Sequence, residues 1–186
     1  MTGHIDPVPA LILSLALAGL WAAAGLHKLL DLRAFSDALS AYALLPRRAA
    51  PIVARALPLV EIGVACGILL SATRSAAGLA SALLLGAYAL AIAVNLRRGR
   101  RQLDCGCVGF GARTSLSVAL LWRNGALLLV SLAAGFLPRG VRTLDWIDVF
   151  TVAAGVAAAA LLYAVADALA SSAERLPRHV GDEAHG

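Results

Sequence analysis

Residues Ser75–Leu96 read SAAGLASALLLGAYALAIAVNL, without one charged side chain. Uncharged apolar runs of about 18 residues or more read as membrane-spanning helices, because a soluble core rarely needs so long an apolar segment. Val8 to Leu26 and Val149 to Ala166 are equally free of charge. Ala56 to Thr73 and Ser115 to Leu137 are apolar apart from one ionisable residue each, Glu61 and Arg123. Five spans are therefore expected, at about 8–30, 51–73, 75–96, 115–137 and 147–169.

Composition agrees. The 186 residues are 60% hydrophobic and 15% charged, with a mean hydropathy of +0.81, whereas soluble domains are roughly 45–50% apolar and about 25% charged. The natural solvent is a lipid bilayer. The first apolar run has no basic segment before it and no polar mature protein after it, so it is expected to be a retained helix and not a signal peptide. The net charge of +5 comes from arginines in short loops beside spans, which topology explains without a nucleic-acid partner.

Between the first two spans, Asp31 to Pro46 is too polar to cross a membrane. Leu32, Phe35, Leu39 and Tyr42 fall on one helical face there, opposite Arg33, Asp37 and Ser40, which predicts an interfacial amphipathic helix over 31–45. Residues 1–170 form a single transmembrane domain in this reading. Residues 171–186 form a polar tail, expected to be disordered. With five spans the termini lie on opposite sides. Twelve basic residues, from Lys28 to Arg178, fall on the side of the first interhelical loop, the third loop and the C-terminus, against Arg74, Arg139 and Arg142 on the other. The positive-inside rule makes the richer side cytoplasmic and puts the N-terminus outside.

The sharpest chemical feature is Cys105-Gly106-Cys107, which follows Asp104 in the third loop. Two thiols one residue apart can close a small strained disulfide, readily reduced and suited to exchange. Upstream arginines and the start of the next helix favour the thiolate. Half a zinc site is the rival reading, but Cys66 is far along another helix and the histidines are scattered, so no metal is expected. Incidental small residues are the other rival. Cys66 itself is expected to be inert helix packing.

Ionisable residues inside a bilayer usually face the bundle interior and mark function. Glu61 and Arg123 fall at similar depths, about 15 Å and about 12 Å from the same side, and are expected to pair, since pairing offsets desolvation. Asn95 and Asn124 could join helices by hydrogen bonds or belong to a site. Lys28 could reach the head groups or turn inward. With Asp104 and the thiols, these groups converge on one half of the bundle.

Gly25-Leu26-His27-Lys28-Leu29 followed by Asp31 and Phe35, Tyr42-Ala43-Leu44-Leu45-Pro46, Leu57-Pro58-Leu59-Val60-Glu61, Ala91-Ile92-Ala93-Val94-Asn95-Leu96, Asp104-Cys105-Gly106-Cys107 and Arg123-Asn124 together resemble the methylamine utilisation protein MauE family, within the broader DoxX-like membrane proteins. The resemblance covers roughly residues 10 to 170. It implies an all-α, multi-pass protein of the bacterial inner membrane that helps mature a periplasmic or secreted protein. For MauE that client is the disulfide-rich small subunit of methylamine dehydrogenase, handled with a thioredoxin-like partner.

The layout also looks like the vitamin K epoxide reductase bundle, four helices with a capping segment and a cysteine pair entering the fourth, here with one extra helix. This chain has Cys-x-Cys instead of Cys-x-x-Cys and no cysteine in the first loop. A quinone-reducing relay within one chain is thus unsupported, and no cofactor is expected. That likeness would also put the thiols on the periplasmic side, against the charge count. Three functions follow: a thiol–disulfide oxidoreductase or electron conduit through Cys105 and Cys107, a non-catalytic scaffold of a maturation complex, or a small proton-linked transporter using Glu61.

Overall fold

The computed structural model describes residues 6–46, 48–100, 117–137, 140 and 142–173. They form six helices: α1 (Pro7–Leu30), α2 (Leu32–Ala41), α3 (Ala50–Leu69), α4 (Arg74–Arg97), α5 (Val118–Phe136) and α6 (Trp146–Ala173). All but α2 are long and apolar enough to cross a membrane. The all-α, five-span class read from the sequence is what the structure shows, with no strand among the described residues.

Local chemistry sets the helix ends. Asp6 caps α1, its carboxylate accepting from Val8 N at 2.9 Å, and Pro7 occupies a first-turn position where a missing donor does no harm. Asp31 ends α1 through its own N–H and starts α2 by accepting from Ala34 N at 3.0 Å. One residue thus turns the chain from a spanning helix into an amphipathic one. That helix is shorter than the expected 31–45 and stops at Ala41.

The α3–α4 hairpin turns at residues 70–73, before Arg74 and Ser75, because the extended backbone of Leu70 breaks the helix. Thr73 Oγ1 then donates to the freed Gly67 carbonyl at 2.9 Å. At the same end Arg74 and Ser75 donate to the terminal carbonyls of Leu137 and Gly135. α6 runs to Ala173, past residue 171, where the tail was expected to begin.

α1, α3, α4 and α5 pack in a ring, each on the next, and α6 lies against α1. α4 and α5 approach so closely that a Cβ on Gly78 would lie 2.7 Å from Gly135 Cα. The core is mainly apolar, around Leu17, Trp21, Ile68 and Leu85, but polar groups share it and large apolar side chains cover the outside. Ser14, Lys28, Glu61, Ser81, Asn95, Asn124 and Ser131 are buried, while Leu26, Leu83, Leu90, Trp122, Leu161 and Leu162 point outward. An apolar exterior with the polar groups gathered inside is what lipid favours. The chain is a multi-pass membrane protein.

Cys66 departs from expectation. It lies on the exposed face of α3 and not in the helix packing. An apolar thiol is as soluble in lipid as in a core, so the membrane removes the usual pressure to bury it.

Candidate functional site

α1 and α3 come together at Gly25, where an added Cβ would lie 2.9 Å from the Pro58 carbonyl oxygen and 2.9 Å from Ile62 Cγ1. One turn further along α1, Lys28 reaches across this close contact and pairs with Glu61. Both are removed from the surroundings, at 3% and 0% side-chain exposure. Tyr88 of α4 donates to the same carboxylate oxygen, Glu61 Oε1. The ammonium also lies 5.2 Å from the Tyr88 ring centroid and 5.3 Å from that of Phe35 on α2, so cation–π attraction adds to the ion pair.

Arg123 is not the partner of Glu61. It pairs with Asp167 of α6 and lies 5.5 Å over the Tyr163 ring. The expected pairing fails for two reasons. Glu61 sits about 16 Å into α3, but α5 begins only at Val118, so Arg123 is about 8 Å into its helix. In addition, Lys28 turns inward and not to the head groups, satisfying Glu61 first. Asp167 and Tyr88 were overlooked in the sequence. An acid just inside the end of the last span was the available signal for Asp167, while the Tyr88 phenol is hidden in an apolar run.

The asparagines divide. Asn95 is fully buried, but its amide donates to Ala91 O of its own helix at 3.0 Å, and its Oδ1 has no partner among the described residues. Asn124 lines a small cavity of about 30 Å³ together with Lys28, Glu61, Tyr88 and Arg123. Further toward the opposite end, Trp21 Nε1 donates to Ser81 Oγ at 2.7 Å, and Ser81 meets Ser131 at 2.7 Å. Ser131 gives its proton to Leu127 O, so Ser81 is the donor to Ser131. This chain ties α1, α4 and α5 together below the charges.

A larger cavity of about 290 Å³ opens between α2 and helices α3 and α4. Its walls are apolar, including Leu39, Val53, Leu57 and Leu84, and Lys28 and Tyr88 line it as well as the smaller one. The charged cluster therefore stands between an apolar chamber under α2 and a polar pinhole in the bundle. Asp104, Cys105 and Cys107 lie outside the described residues, in the segment that joins α4 to α5.

A family model described as methylamine utilisation protein MauE matches residues 7–137. That span takes in Lys28, Glu61, Tyr88, Arg123 and the Cys-Gly-Cys motif, and stops short of α6. The MauE protein of Paracoccus versutus is 37% identical over 161 residues, 87% of either chain. That of Paracoccus denitrificans is 38% identical over 129 residues, 69% of either chain. The Methylophilus methylotrophus protein is 32% identical over 163 residues, 87% of this chain and 86% of the relative. No solved structure matches. A family model covering most of the chain, and relatives aligned over 69–87% of it, leave one assignment: the chain belongs to the MauE family.

Proposed function

We propose that this membrane protein serves methylamine utilisation by supporting the maturation of a periplasmic or secreted client through thiol–disulfide exchange at Cys105 and Cys107. One observation supports the reading above others. Lys28, Arg123, Tyr88 and Asp167 lie in the halves of their helices nearest the α4–α5 connection that carries the cysteines, and Glu61 joins them from midway along α3. A bundle needing only to span would not gather charges there, since each ion is costly to hold away from water.

In this mechanism one thiolate of the pair attacks a disulfide of a thioredoxin-like partner, forming a mixed disulfide and releasing a partner thiolate. The second thiolate resolves it. Two electrons pass to the partner, and Cys105 and Cys107 are left joined. The reverse sequence, with a dithiol partner, reduces the pair again. Asp104 and the neighbouring arginines tune the thiolates, and the buried ion pairs with Asn95 and Asn124 shape the half of the bundle behind them. The basic excess at this end favours a cytoplasmic position; in this reading a cytosolic thioredoxin-like dithiol reduces the pair, and the client receives reducing equivalents that correct its disulfides.

The test is a Cys105→Ser/Cys107→Ser double variant in cells that make the disulfide-bearing client. The client should accumulate with incorrect disulfides while the variant accumulates in the membrane. Normal client maturation by that variant, together with failure when the apolar face of α2 is made polar, would overturn exchange and favour a scaffold.

A further inference from the structure

Glu61 Oε2 and Asn124 Nδ2 are buried, lie on residues lining the 30 Å³ cavity and have no hydrogen-bond partner among the described residues. Glu61 is fully buried and Asn124 is 3% exposed. Leaving either unsatisfied is costly, more so for the charged carboxylate. Cavities of roughly 10–15 Å³ or more with two to four polar partners hold water, and this one exceeds that size.

The chemistry of the two atoms selects the occupant. A carboxylate oxygen only accepts, and an amide nitrogen only donates. A metal or ammonium cation would suit Glu61 and repel the Asn124 N–H. A halide would do the reverse. The bridging group must donate on one side and accept on the other, and be no larger than the pinhole.

We propose that an internal water occupies this cavity, donating to Glu61 Oε2 and accepting from Asn124 Nδ2. It completes the coordination of Glu61, whose other oxygen serves Lys28 and Tyr88. It also joins α5 to the α1–α3–α4 cluster, since Arg123 of α5 pairs with Asp167 and not with Glu61. The site stands on geometry alone and is independent of thiol exchange.

The experiment is a density map of the full-length protein in lipid nanodiscs, at a resolution that shows ordered water, for wild type and Asn124→Leu. Leucine has the branched heavy-atom shape of asparagine, in greater volume, but no donor. Wild type should show one peak within hydrogen-bonding distance of Glu61 and Asn124, and the leucine variant should lack it. An empty cavity in wild type, a direct Glu61–Asn124 bond, or a peak replaced by rubidium or bromide on soaking would overturn the proposal. If the variant does not fold, the wild-type map and the soaks decide alone.

Discussion

Replacing Lys28 by methionine isolates the contribution of the central ion pair. Methionine keeps an unbranched apolar stem between the Phe35 and Tyr88 rings, where its sulfur packs well, so the change removes charge more than volume. Glu61 keeps the Tyr88 hydroxyl but loses its only cation among the described residues. Removing one partner of a buried pair costs about 3–5 kcal/mol, because the remaining charge is uncompensated. At about 1.4 kcal/mol per factor of ten, the unfolding equilibrium should shift by roughly 10² to 4 × 10³-fold.

A second change, Glu61→Gln, in the same chain removes the stranded charge while the amide oxygen still accepts from Tyr88. The double variant should recover about 2 kcal/mol or more of the loss. Reversible unfolding of the purified protein in mixed micelles, followed by circular dichroism, measures all four corners of the cycle. A Lys28→Met loss below about 1 kcal/mol, the range of exposed pairs, with no recovery in the double variant, would refute the account of this site.

Three further outcomes follow from the packing. Arg123→Met should cost less than Lys28→Met, about 1–2 kcal/mol, since Arg123 and Asp167 are 14% and 16% exposed; the same unfolding assay checks the order. Gly78→Ala should destabilise by about 1–3 kcal/mol, because its new methyl meets the Gly135 backbone at 2.7 Å, whereas Gly125→Ala, with nothing within 4 Å, should be neutral or stabilise by up to about 1 kcal/mol. Cys66→Ala should leave stability within about 0.5 kcal/mol of wild type, as its side chain faces outward.

Much of the fold was legible because lipid simplifies the code: uncharged length alone marks a span, as it does for α1, α4 and α6. The amphipathic α2 was also visible, because its apolar residues recur at three and four. Pairing was not. Whether Glu61 meets Lys28 or Arg123 depends on how each helix is rotated and which neighbours it touches, and Gly25 brings α1 onto α3 through backbone contact that periodicity does not encode. Depth also misled, since the three residues by which α5 starts later moved Arg123 toward the membrane surface and into reach of Asp167. Near a helix end, Lys28 could have reached the head groups or turned inward, and the sequence does not decide between them. Only the fold shows that its stem can turn inward beneath Phe35.

The most direct measurement of the central claim is labelling of Cys105 and Cys107 with a membrane-impermeant thiol reagent, in intact cells and in inverted vesicles, before and after reduction. Cys66, on the lipid-facing side of α3, should stay silent. The account predicts labelling from the cytoplasmic face, in inverted vesicles, that rises sharply after reduction, as expected of a pair that rests partly as a disulfide. Full labelling without reductant under every condition would show two permanent free thiols and contradict exchange at this site.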